Sequence, residues 1–216
     1  MKRHQSGFTL IEIAIVLVII GLLLGGVLKG QELINSAKVK NLASDFKNIP
    51  VYIYGYQDKF KALPGDDSKV VLHVNGTLAT TPAGDQGNGV IDGLWSPAII
   101  ATDESSLFWQ HIRLAGFGPG ATVTTAADYL PTNAVGGTIG VTNAAESPIT
   151  GLNGTYIVCS NAIAGKFATQ LDTTLDDGNT ATGSVQVVAA GTTTPATAIA
   201  TATINPDTTY LVCMGY

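Results

Sequence analysis

Glu12 is the lone carboxylate in a run of apolar and small residues from Phe8 to Leu28. Burying such an acid in a bilayer costs about 3 kcal/mol near the centre and less near an end. An acid kept there has a role, and pairing with a cation is the chemistry open to it. A second set lies in GDQGNGVIDG, residues 84–93, where Asp85, Asn88 and Asp92 could offer oxygens to a hard cation such as calcium. Aligned on its NGVID, an EF-hand loop would place Gly84 first, Gln86 third and Trp95 twelfth, where acids are needed, so a contiguous EF-hand is not expected. A looser oxygen site stands beside a plain Gly/Asn/Asp turn. A third set, LDTTLDDGN at 171–179, holds Asp172, Asp176 and Asp177; Asp172 and Asp176 share a helix face, and the group reads either as a cation site or as a helix end with an Asx turn. Calcium is the one cofactor these oxygens suggest.

Cys159 and Cys213 each sit in an apolar, strand-like stretch. An even count in a chain with a membrane-length segment favours a disulfide; two reduced core thiols are the alternative. Enzyme signatures are missing from the sequence. The three histidines, His4, His73 and His111, are scattered, and there is no H-E-x-x-H, G-x-S-x-G or P-loop. The expectation is a non-enzyme. A net charge of −5 with 12% charged residues gives no basic footprint for a nucleic-acid partner.

These residues need elements to position them. The apolar run from Phe8 to Leu28, as a helix, would be about 31 Å long and match a hydrocarbon core. Lys2 and Arg3 precede it, which places residues 1–7 in the cytoplasm and the rest outside. A cleaved signal peptide has a shorter apolar core and a small-residue site after it, and LLLGGVLKG offers none. A plain signal anchor explains length and orientation but not the acid. Gly21, Gly25, Gly26 and Gly30 form G-x-x-x-G spacings that suit close helix packing or local loosening.

SGFTLIEI in this register resembles the processing site of type IV prepilins and of the pseudopilins of type II secretion. The resemblance implies cleavage by a prepilin peptidase between Gly7 and Phe8, N-methylation of Phe8, and an assembly role for Glu12. A new ammonium at Phe8 and the Glu12 carboxylate, both poorly solvated, would each gain from an opposite charge, supplied by a neighbouring subunit or by the same chain. The partners implied are other copies of the chain in a helical homo-oligomeric filament built through the N-terminal helices, the inner membrane before assembly, and the peptidase and assembly machinery. The localisation implied is inner membrane as precursor and cell-surface filament afterwards. Two other readings remain: a type II secretion pseudopilin, and a signal-anchored calcium-dependent adhesin or binding module.

Beyond Gly30 the apolar residues Val39, Leu42, Phe46, Ile49, Ile53, Tyr56, Phe60 and Leu63 recur at gaps of three and four, an amphipathic helix stripe. Pro50 lies within it, leaves the Phe46 carbonyl without its helical donor and is expected to kink the helix near Phe46 to Pro50. LPGDD, residues 63–67, is expected to end the helix. Candidate strands lie at 69–75, 137–143, 154–161, 183–191 and 209–216, with helices at 103–116, where Asp103 is the expected N-cap, and at 165–178. His111, on a face with Leu107 and Leu114, reads as a structural histidine. The expected organisation is a leader (1–7), a membrane or filament-core helix (8–30), an amphipathic half (31–63) and a β-rich domain (64–216). The fold class is α+β, a long N-terminal helix packed on an antiparallel sheet as in type IV pilins.

Overall fold

The computed structural model describes residues 9–96 and 101–216. Helix α1 runs for 51 residues, Leu10–Phe60, and passes through Pro50 without a break. It contributes to two compact units, residues up to Ala37 and Lys38–Tyr216. In the first unit the large apolar side chains are exposed on every side of the helix, from Leu10 at 93% to Leu28 at 66%. A helix that is apolar all round belongs in a membrane or among other apolar helices.

In the second unit the stripe behaves as its spacing requires. Val39, Leu42, Phe46, Ile49, Ile53 and Tyr56 are all buried. The first five share a core with Val141, Val158, Val187 and Val212 of a four-stranded sheet. The strands are β1 (Ile139–Thr142), β2 (Ile157–Ala164), β3 (Val185–Ala189) and β4 (Thr209–Gly215), in the order β1-β2-β4-β3, and every pairing is antiparallel. Strand periodicity divides the side chains between faces. Val158, Val187 and Val212 join the core that holds α1, while Ile157, Val188, Leu211 and the cysteines pack on the other side against Trp95, Ile149 and Leu152. Fold class is therefore α+β, with helix and sheet as expected.

Tyr216 closes the gap that Pro50 opens. Its hydroxyl donates to the Phe46 carbonyl at 2.6 Å, so the acceptor that the proline deprives of a helical N–H is satisfied by the last residue. Cys159 and Cys213 stand opposite each other on β2 and β4 and form a disulfide across 54 residues of chain. Loop-closure entropy for that separation amounts to about 4 kcal/mol, an upper figure.

Three sequence expectations need correction. Residues 69–75 do not form a strand; Val70–Val74 is a short helix, α2, closed by Asn75 in the left-handed region. Local hydrogen bonds decide this: the Asp67 carboxylate accepts the Lys69 N–H and contacts the His73 ring, outweighing the β propensity of three valines. Helix α1 ends at Phe60, ahead of the expected 63–67, because Lys61 already has φ +56. Asp103 precedes helix α3 (Glu104–Leu114), but its side chain makes no cap; it accepts the Thr81 hydroxyl instead. Leu114 is exposed, whereas Glu104 to Arg113 are all buried.

Candidate functional site

Gly7 and Phe8, the expected cleavage pair, lie outside the described residues. Immediately after them α1 opens on a capping box. Thr9 Oγ1 accepts the Glu12 N–H at 3.3 Å, and Glu12 Oε2 accepts the Thr9 N–H at 2.8 Å. The Thr9 hydroxyl also donates to Glu12 Oε2 at 2.8 Å. A threonine N-cap with a glutamate three residues on satisfies two orphan donors reciprocally. Glu12 thus has a local partner within its own helix, a pairing whose signal is the T-L-I-E spacing and which charge alone does not suggest. Both residues are exposed, and Glu12 Oε1 makes no hydrogen bond among those described. The helix that begins here is long and apolar enough to cross a membrane.

The expected metal-binding residues divide into two places. Asp172 and Asp176, with Asp177, offer carboxylate oxygens within 4.8 Å of one another at the end of helix α4 (Gly165–Leu175). Asp172 is buried, Asp176 half-buried and Asp177 exposed. Burial, then the charges of Asp177 and Asp176, push the Asp172 carboxyl up to about 6. The Asx turn is present as well: Asn179 N donates to Asp177 Oδ1 at 2.8 Å. Each oxygen of Asp176 and Asp177 that makes a bond serves the turn or the start of β3, as in Val185 N to Asp176 Oδ2 at 2.9 Å.

In the 84–93 loop, Asn88 Nδ2 donates to Asp92 Oδ2 at 3.1 Å, and Asn143 Nδ2 to Asp92 Oδ1 at 2.8 Å. Asp85 is exposed, and its side chain makes no hydrogen bond among those described; its carbonyl accepts the Asn88 N–H. Besides Glu146, whose carboxylate accepts the Gly93 N–H, two more acids that sequence reasoning misses are brought to this loop. Asp66, from the LPGDD breaker, receives the loop's backbone N–H groups, and Glu104, from the first turn of α3, receives the Asp92 N–H. Both are visible in the sequence, but each is already explained there as part of a helix end.

His111 is fully buried with both ring nitrogens occupied. Gly65 N donates to Nδ1 at 2.9 Å, which leaves Nε2 to donate to the Thr77 carbonyl at 2.8 Å. This is the structural histidine the sequence suggested. Gly65 has φ +95, and a side chain there would collide with the Glu104 carbonyl, so the chain can approach α3 only with glycine at this point.

A long N-terminal helix on an antiparallel sheet, with an apolar and exposed first half, defines an α+β arrangement like that of type IV pilins. Residues 2–28 match the family model described as the prokaryotic N-terminal methylation motif, which is the prepilin-type cleavage and methylation segment. No curated protein and no solved structure matches the chain. The motif together with the apolar helix points to a prepilin-processed protein whose precursor is anchored in the membrane.

Proposed function

We propose that the chain is a structural, non-enzymatic subunit of a type IV pilus-like filament, cut between Gly7 and Phe8, methylated at Phe8, and assembled through its N-terminal helix. The observation that carries this reading is the match of residues 2–28 to the methylation motif, in register with a helix that is apolar on all sides from Leu10 to Leu28. Such a surface can be satisfied first by lipid and then by the same helix of other subunits, so one segment serves anchoring and assembly. Glu12 gives the assembly step its register. Before processing, its Oε2 is held by Thr9, and the new Phe8 ammonium, or that of a neighbour, completes the carboxylate's partners. A buried pair of that kind acts more as a register device than as a source of stability.

Electron microscopy of cells producing the chain tests the assembly role. The reading predicts fibres with the natural sequence, and loss of fibres with Glu12→Ala although the cut chain still accumulates in the membrane. Fibres at the natural level with Glu12→Ala would remove the register role. Processed chain without long fibres under any condition would favour the pseudopilin reading.

A further inference from the structure

We propose that Asp66, the 84–93 loop and Glu104 form a calcium site, in which segments far apart in the chain take the ligand positions of an EF-hand-type loop. The contiguous loop fails because it has Gly84 and Gln86 where its first acids belong and Trp95 where the final glutamate belongs. The fold supplies acids from elsewhere.

Asp66 is 2% exposed, and the loop wraps its carboxylate. Oδ1 accepts N–H groups from Gly87 and from Asn88, the latter at 3.1 Å, and Oδ2 accepts the Gly89 N–H at 2.7 Å. Three of about four lone-pair sites are filled, leaving one for a cation. Counted from the loop's NGVID, Asn88 occupies the fifth position, Gly89 the sixth, the Val90 carbonyl the seventh and Asp92 the ninth, which are the residue types that an EF-hand uses there. Gly89 has φ +87, as the sharp turn at the sixth position needs. Asp66 then stands for the first acid and Glu104 for the twelfth.

Glu104 points to a ligand independently of the loop. It is fully buried; its Oε2 accepts the Asp92 N–H at 3.0 Å, so the carboxylate faces the loop, and its Oε1 has no hydrogen-bond partner. A buried carboxylate oxygen without a donor needs a proton or a cation. The surroundings favour a cation. Asp66, Asp92 and Asp85 add negative charge around it, and among the described residues no ion pair reaches any of these acids. The donors are all oxygens, without sulfur or imidazole, and they include a backbone carbonyl. That suits the flexible coordination of calcium more than the strict octahedron of magnesium or the softer preferences of zinc. The assignment does not depend on the filament reading.

The test uses the full chain in detergent micelles, stripped with chelator and titrated with calcium chloride, following the thermal midpoint and terbium luminescence excited through tryptophan; Trp95 lies three residues after Asp92. Calcium is expected to raise the midpoint saturably, with half-saturation on the order of 10⁻⁴–10⁻³ M as in extracellular modules. Magnesium at equal concentration should give a smaller rise. The calcium shift should vanish in Glu104→Gln and in Asp66→Asn, and persist in Asp176→Asn. Should either of the first two variants fail to fold, amide exchange on the unaltered chain decides, because calcium should slow exchange at Gly87 to Asp92. The proposal is overturned if calcium leaves both midpoint and exchange unchanged, or if the shift survives Glu104→Gln and disappears in Asp176→Asn.

Discussion

His111 shows how much a single side chain can fix here. Its two ring nitrogens tie the Gly65 N–H and the Thr77 carbonyl to α3, joining the turn after α1 to the start of the next loop. Burial holds its pKa below the usual histidine value, with the Thr77 hydrogen bond and the Asp67 charge opposing. The unfolded chain therefore takes up a proton near pH 6.5 that the folded chain resists. The stability this residue contributes is present above about pH 6.5 and is lost as pH falls through the lower folded value. A glutamine can accept from Gly65 and donate to Thr77 without titrating. We expect the thermal midpoint of the natural chain to fall more between pH 7 and pH 5 than that of His111→Gln, measured by circular dichroism; parallel profiles would remove His111 as the titrating group. At this scale the sequence was partly legible. The histidine's structural character came from its apolar neighbours, but its partners lie 46 and 34 residues away and no local pattern could name them. Asp66 and Glu104 were hidden for a related reason, since each first reads as helix punctuation. Glu12 was legible as the odd acid, yet its capping box with Thr9 is masked by the charge it carries.

At the scale of elements, α1 and the sheet depend on each other through Pro50. A helix proline leaves a carbonyl unpaired, and here the Tyr216 hydroxyl meets it from the far end of the chain. Removing that hydroxyl in Tyr216→Phe leaves the Phe46 carbonyl without this donor. The expected loss is about 1 kcal/mol, read from chemical denaturation, with the Tyr156 ring stack retained. No loss would mean that water replaces the hydroxyl without penalty. The helix stripe and four of the five expected strands could be read from periodicity because their side chains alternate between core and solvent, or between the two faces of a covered sheet. Residues 70–74 could not. They look like a strand by composition, but only Val70 is buried, while Val71 and Leu72 are 58% and 84% exposed; the burial that would have rewarded an extended conformation is absent.

For the whole molecule, the two compact units answer to different surroundings. Residues from Lys38 onward bury their own core on both faces of the sheet and tie β2 to β4 with a disulfide, which suits an oxidising compartment. The first unit leaves its apolar side chains for lipid or for other chains to cover. One cut at the head of that helix would convert a membrane precursor into an assembly unit, and the account depends on that cut. The most direct measurement is mass spectrometry of the amino-terminal peptide of the mature chain from cells that carry a prepilin peptidase. The account predicts a peptide beginning at N-methylated Phe8. A mature chain still beginning at Met1, or one cut after the apolar segment, would contradict it.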